Sequence, residues 1–267
     1  MNTHIEVFFA PAEFEALKSR ELGRACCVLF DILRATSTMV TALAHGARAL
    51  RAVSDIPSAL ALQKESWPDA LLAGERGGYR IGADLASGRE FDLGNSPREF
   101  NRARVQGRRI VMTTTNGTRA LAASAHAGSV FVGSFLNLTA TAEAVRALRV
   151  ATVFVVCSGT GEEVAWEDTL GAGALCELLM PDYGHGLVSD SVLVAQTAFR
   201  SIAGSSLSDA LRMGVNGRRL MEKSDLRDDV AFCAQRDAFP LVAIQDVDGV
   251  IRTQPSFGGA SPGDARN

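Results

Sequence analysis

Residues 110–121 read I-V-M-T-T-T-N-G-T-R-A-L, and the rest of the chain is organised around this run. Its apolar start, 110–112, fits the end of a buried strand. Threonines, an Asn-Gly pair and another threonine follow, and then an alanine-rich segment, 120–127, with high helix propensity. Strand, hydroxyl-rich turn and helix together suit an anion. The first N–H groups of a helix lack internal partners, and the helix dipole adds partial positive charge there. Gly117 lets the backbone approach closely, Asn116 tolerates the left-handed conformation, and Arg119 adds a planar fork for phosphate or carboxylate. The same run also reads as a plain tight turn with capping threonines.

The rest of the chain repeats the alternation of short apolar runs with helical stretches. Strands are expected at 5–9, 25–30, 49–53, 70–73, 109–112, 130–132, 150–156 and 241–245. The run 25–30, A-C-C-V-L-F, has no polar residue, as in a strand buried on both faces. Helices are expected at 11–19, 37–44, 56–66, 139–148, 166–179, 189–202 and 206–213, with another starting at 216–223; 226–233 is ambiguous and 79–101 reads as loop. This alternation predicts an α/β fold, a three-layer α/β/α arrangement on a mostly parallel or mixed sheet. Residues 1–254 read as one α/β domain, with two lobes as an alternative, and 255–267 as a disordered tail.

With a net charge of −3, the chain carries no global attraction to nucleic acid or to an acidic membrane, so an anion site must be built locally. The start, M-N-T-H-I-E-V, lacks the pattern of a signal peptide, and no apolar run is long enough to span a bilayer. Cys26, Cys27, Cys157, Cys176 and Cys233 are odd in number and mostly flanked by apolar residues, which suits a reduced, cytoplasmic protein. A homodimer stays open.

In parallel sheets, ligands sit at the carboxyl ends of the strands. Four polar loops are expected there: 31–38, 74–78, 113–119 and 158–161. They carry Arg34, Arg76 and Arg119, and with the start of helix 166–179 the acids Asp31, Glu75, Glu167 and Asp168. Arginines and amides suit a polyanion. Carboxylates beside a phosphate repel it unless a cation intervenes, which points to Mg²⁺ held by one or two acids and phosphate oxygens. Asp31 is the first candidate ligand, because an isolated carboxylate ending a buried strand is costly; capping the next helix or pairing with Arg34 are its alternatives. Glu75 also fits an exposed turn, and Asp168 first-turn dipole chemistry.

Several sharper motifs fail. Cys157 precedes S-G-T-G, but thiolate phosphatase chemistry needs an arginine six positions on, and that position holds Glu163. Neither a dinucleotide fingerprint nor a P-loop is present. The stretch 241–251, L-V-A-I-Q-D-V-D-G-V-I, resembles the nucleophile motif of haloacid-dehalogenase-type phosphatases, yet too little chain follows for their other motifs. Asp246 and Asp248 are therefore expected in a hairpin or turn.

Taken in order, the loops carry a resemblance. The stretches D-I-L-R-A-T-S-T-M-V-T-A-L (31–43), G-E-R-G-G (74–78), F-D-L-G-N-S-P (91–97), V-M-T-T-T-N-G-T-R-A-L (111–121), G-S-F-L-N (133–137) and C-S-G-T (157–160) resemble those of the 2-phosphosulfolactate phosphatases. E-D-T-L-G-A-G (167–173), N-G-R-R-L (216–220) and D-V-A-F-C-A-Q (229–235) complete the resemblance, which runs from about 5 to 252. It implies a Mg²⁺-dependent phosphatase converting 2-phosphosulfolactate to sulfolactate, a step of coenzyme M synthesis. The substrate would be a small anionic phosphoester. On this reading Asp31, Arg34, Arg119 and Asp168 are catalytic, and Asp31, Glu75 and Asp168 hold the metal. Substrate binding falls to Thr36, Ser37, Arg76 and Asn95, to Thr114, Thr115, Asn116, Gly117 and Thr118, and to Ser158, Gly159 and Thr160. A non-catalytic anion-binding protein, or a phosphatase for another small acid, is the alternative.

Overall fold

A computed structural model describes residues 3–254; the tail expected at 255–267 lies outside them. In the strand Ala25–Phe30, Cys26, Val28 and Phe30 enter one hydrophobic core while Cys27 and Leu29 enter a second. Apolar side chains at every position, alternating between faces, force helices onto both sides of the sheet. Each side chain of that size contributes about 1.5–3 kcal/mol when fully buried. The result is a three-layer α/β/α fold.

The strands are β1 His4–Phe8, β2 Ala25–Phe30, β3 Ala49–Ala52, β4 Leu71–Arg76, β5 Tyr79–Arg80, β6 Arg109–Thr113, β7 Ser129–Gly133, β8 Thr152–Cys157, β9 Leu187–Val188, β10 Val242–Gln245 and β11 Val250–Gln254. The helices are α1 Phe14–Lys18, α2 Ala35–Ala44, α3 Ile56–Glu65, α4 Arg102–Val105, α5 Gly117–Ser124, α6 Leu138–Leu148, α7 Trp166–Tyr183, α8 Asp190–Ser201, α9 Leu207–Met213, α10 Val215–Met221 and α11 Arg227–Cys233. One core lies under α6 to α11; the other lies under α1, α2 and α5, with a smaller cluster beneath α3. No helix among the described residues is long and apolar enough to cross a membrane.

The strand order is β5-β4-β6-β3-β11-β10-β7-β2-β8-β1-β9. The blocks β4-β6-β3 and β7-β2-β8-β1-β9 are each parallel inside. Between them sits the antiparallel hairpin β10–β11, paired antiparallel to β7 on one side and to β3 on the other. Followed through these pairings, the two blocks run in opposite senses, so the sheet is mixed. Five strand steps separate β6 from β2, over which ordinary twist accumulates a rotation on the order of 100°.

The central hairpin settles the decoy at 241–251. Asp246 is its turn: its N–H donates to the Val250 carbonyl, and its Oδ1 accepts from the Asp248 and Val250 N–H groups. Other boundaries moved. Gly74–Arg76, expected as a loop, extends β4 and turns back as β5. The expected last strand, 241–245, is followed by β11. The ambiguous 226–233 is helical, as α11.

Candidate active site

β2 delivers its chain to Asp31, and the next five residues wind back onto it. Asp31 Oδ1 accepts the Ala35 N–H at 3.0 Å, and the Thr36 hydroxyl accepts the Asp31 N–H at 3.0 Å. Ser37 Oγ donates to the Ile32 carbonyl at 2.8 Å. The helix-capping alternative for Asp31 is thus realised through one oxygen. Its other oxygen faces α5: a Cβ at Gly117 would stand 2.8 Å from Asp31 Oδ2 and 2.9 Å from the Ala35 Cβ. Only glycine permits that approach between the first and third loops. Asn116 does not use its left-handed tolerance; it lies at φ −115°, ψ −50°.

At the start of α7, Asp168 accepts the Ile32 N–H on Oδ1 at 2.8 Å and the Gly159 N–H on Oδ2 at 3.1 Å. It laces the loops after β2 and β8 together. Its neighbour Glu167 accepts the Asn216 side-chain amide on Oε1 at 2.6 Å, and that amide also donates to Thr160 Oγ1 at 2.6 Å.

Glu75 laces the remaining pair of loops. Its Oε2 accepts the Gly78 N–H at 2.7 Å, and its Oε1 accepts the Thr115 N–H at 3.1 Å and hydroxyl at 2.8 Å. The hairpin tip is held from the far side by Arg34, whose Nη2 donates to the Gly78 carbonyl at 2.8 Å, and by Lys223, whose Nζ donates to the Gly77 carbonyl at 2.5 Å. The four loops expected at the carboxyl ends therefore do converge, although they come from both blocks of the sheet.

Their junction is a cleft of about 620 Å³. Asp31, Arg34, Glu75, Asn95, Thr114, Thr115, Asn116 and Thr160 line it, as the sequence leads one to expect. The other expected residues do not. Thr36, Ser37, Gly117, Thr118, Ser158, Gly159 and Asp168 are buried behind the wall and shape it. Arg76 donates to the Glu75 carbonyl and to Thr113 Oγ1, outside the lining. Arg119, expected to grip the substrate, is exposed and pairs with Glu162 at 2.8 Å and the Gly161 carbonyl at 3.2 Å. Expected at the end of the loop 113–119, it instead lies in the first turn of α5, and its side chain leaves the cleft.

Asn216, Arg219 and Lys223 form a wall that had been given no role. Asn216 and Arg219 fall in N-G-R-R-L (216–220), a stretch that carries resemblance without recognisable chemistry, and Lys223 lies beyond it. Asp229 was missed in the same way. It is fully buried, and accepts from Arg34 Nη1 at 2.7 Å, Ser96 Oγ at 2.7 Å and Arg98 Nε at 2.8 Å.

Charge is crowded at the floor. Burial, and then the neighbouring Glu167 and Glu75, push the Asp31 carboxyl from 3.8 up to about 7, against the opposing pull of the Ala35 N–H and Arg34. Burial raises Glu167, with the Asn216 amide opposing; burial together with Glu167 and Asp31 raises Asp168. Four buried atoms in or beside the cleft, Asn95 Oδ1, Thr114 Oγ1, Ser158 Oγ and Glu167 Oε2, have no hydrogen-bond partner in the protein. Buried polar atoms are normally satisfied, so such a concentration marks a place built to meet something polar. Among the described residues, no group of three His, Cys, Asp or Glu is close enough to form a metal centre on its own. The expected triad Asp31, Glu75 and Asp168 is accordingly not a closed cage. Cys157 is buried in the core, and burial raises its thiol well above the ordinary value.

A three-layer α/β/α fold, with mutually repelling carboxylates at the floor of an amide-, hydroxyl- and cation-lined cleft, suits an enzyme that works on small phosphate esters. The sequence profile of a family described as 2-phosphosulpholactate phosphatase matches residues 12–248. A Gloeobacter violaceus protein named "Probable 2-phosphosulfolactate phosphatase" is 38% identical over 85% of this chain and 90% of its own. Proteins of the same name from Caldanaerobacter subterraneus, 36% identical over 91% of this chain and 97% of its own, and from Synechococcus sp. strain JA-3-3Ab, 39% identical over 85% and 91%, are similar too. The chain belongs to the 2-phosphosulfolactate phosphatase family, whose members are phosphoric monoester hydrolases.

Proposed function

We propose that this protein hydrolyses 2-phosphosulfolactate, or a closely similar small 2-phospho-carboxylate, with Mg²⁺ as its cofactor, in the cytoplasm and as a step towards coenzyme M. The observation that carries the reading is the floor of the cleft. Asp31, with Glu167 and Glu75 close enough to raise its pKa, lies among orphaned acceptors and donors. Acids so placed repel a phosphate unless a cation lies between them, and Mg²⁺ accepts one or two carboxylates together with phosphate oxygens and water. The donor set fits that requirement and not an all-protein cage. Asp31 is the first ligand we propose, with Glu167, whose Oε2 has no partner, second; Glu75 and Asp168, whose carboxylate oxygens all hold backbone N–H groups, brace the site. When bound, the ion withdraws charge from the phosphoryl group and its leaving oxygen.

The protein's own residues do the rest. Thr114, Thr115, Asn116 and Thr160 offer hydroxyl and amide donors to phosphate oxygens. Arg34, locked by Asp229, supplies fixed positive charge at the edge of the acidic floor, where no rearrangement is needed as charge develops. The five free, buried cysteines support a reducing compartment.

The test is phosphate release from 2-phosphosulfolactate by chelator-treated protein, with and without added Mg²⁺. Turnover restored by Mg²⁺ is expected. Tight binding of the compound without any phosphate release would instead favour a non-catalytic anion-binding protein.

A further inference from the structure

We infer that Arg219 and Lys223 grip the sulfonate end of the substrate and so set the preference for it; this rests on the phosphatase reading above. The cations lining the cleft are Arg34, Arg219 and Lys223. Arg34 is spent: one arm of its fork holds Asp229 and the other the Gly78 carbonyl. Arg219 is exposed, and among the described residues it has neither an ion-pair nor a hydrogen-bond partner. Lys223 gives one of its three protons to the Gly77 carbonyl and rests 4.0 Å from the centre of the Tyr79 ring, which leaves two donors for a ligand.

The placement follows from helical spacing. Asn216, Arg219, Leu220 and Lys223 fall at i, i+3, i+4 and i+7, so they share one face of α10 and its extension, and all four line the cleft. Gly78 makes room for the ammonium group. A Cβ there would come within 2.5 Å of Lys223 Nζ, and its φ of +89° also disfavours a side chain.

The substrate's own chemistry selects the group held. Phosphate and carboxylate hang from the same carbon of a 2-phospho-carboxylate, so both remain near the Asp31 floor and the threonine loop. Only the sulfonate, one carbon further on, reaches out to the wall that carries Arg219 and Lys223. Three singly hydrogen-bonding oxygens suit one arginine fork and one ammonium group.

The experiment compares kcat/KM on 2-phosphosulfolactate and 2-phospholactate for wild type, Arg219→Gln, Lys223→Gln and the double variant. Arg227→Gln, an exposed change on α11, serves as the charge control. Each single cleft variant should lose about 10- to 100-fold on the sulfonate substrate and less than about threefold on phospholactate, so their ratio collapses. Binding of the product sulfolactate, measured calorimetrically, should weaken in parallel, while the control variant changes neither reading. Equal losses on both substrates, or an unchanged ratio, would overturn the inference. Failure of the phosphatase reading shows separately, in a wild-type protein that releases phosphate from neither compound.

Discussion

The guanidinium of Arg34 lies 2.7 Å from the Asp229 carboxylate, and the two side chains are only 3% and 0% exposed. This pair joins α11, near the end of the described chain, to the loop that follows β2. Asp229 has filled its other oxygen with Ser96 and Arg98, so the pair sits in a satisfied network. Removing one partner of such a pair leaves an uncompensated buried charge, at a cost of about 3–5 kcal/mol. Asp229→Ala should therefore lower unfolding stability by that amount in a urea titration and release Arg34 from its position beside Gly78. A loss below about 1 kcal/mol would show that the network tolerates an open charge.

Asp31 is expected to trade stability for activity. Its folded carboxyl titrates near 7 and the unfolded one near 3.8, so between those values the folded state holds a proton that the unfolded state has released. Stability of the metal-free protein then falls as pH rises through that window, by on the order of 4 kcal/mol from this group. Asp31→Asn should flatten the slope and make the metal-free protein more stable than wild type at pH 8. It should also cost about a hundredfold or more in kcat. Near-normal turnover by the folded variant would remove Asp31 from the mechanism, and an unchanged pH slope would remove it as the source of the strain.

Much of this architecture is legible in the sequence because it follows from local rules. The uninterrupted apolar run of β2 declares a strand buried on both faces, and Gly117 after a threonine turn declares close backbone approach. What is not legible arises from distance along the chain. Nothing near Arg34 reveals Asp229, 195 residues away, as its partner. Nothing near 110–121 shows that Arg119 would turn outward to Glu162, because both directions are open to the first turn of a helix. The opposed sense of the two parallel blocks is likewise set by the hairpin β10–β11, whose insertion between β3 and β7 no local pattern encodes.

Cys157 offers a sharp negative. It ends β8 directly before the Ser158 loop, yet its side chain faces the hydrophobic core and burial holds the thiol protonated. The thiolate is the reactive form, so this residue is a packing group. Cys157→Ser should retain kcat within about threefold, while the hydroxyl forced into the core costs roughly 1–3 kcal/mol of stability. Abolished turnover in a folded variant, together with a trapped phosphocysteine, would reverse the assignment.

Substrate size is the last consequence of the cleft. Its lining holds carboxylates, threonines, asparagines, glycines and three cations, with Leu33, Val164, Val215 and Leu220 as its apolar members and no aromatic ring. Nucleobases and sugars generally need an apolar or aromatic wall to stack on, whereas small polyacids need cations and donors. The Tyr79 ring is covered by the Lys223 ammonium group. Under matched Mg²⁺, a nucleoside monophosphate should therefore show kcat/KM at least about a hundredfold below that of 2-phosphosulfolactate, a difference of about 2.7 kcal/mol in transition-state binding. Phosphate release from both compounds over a range of concentrations measures it. If the nucleotide proves the better substrate, the cleft recognises something other than charge, and the acidic floor must then be serving a larger leaving group.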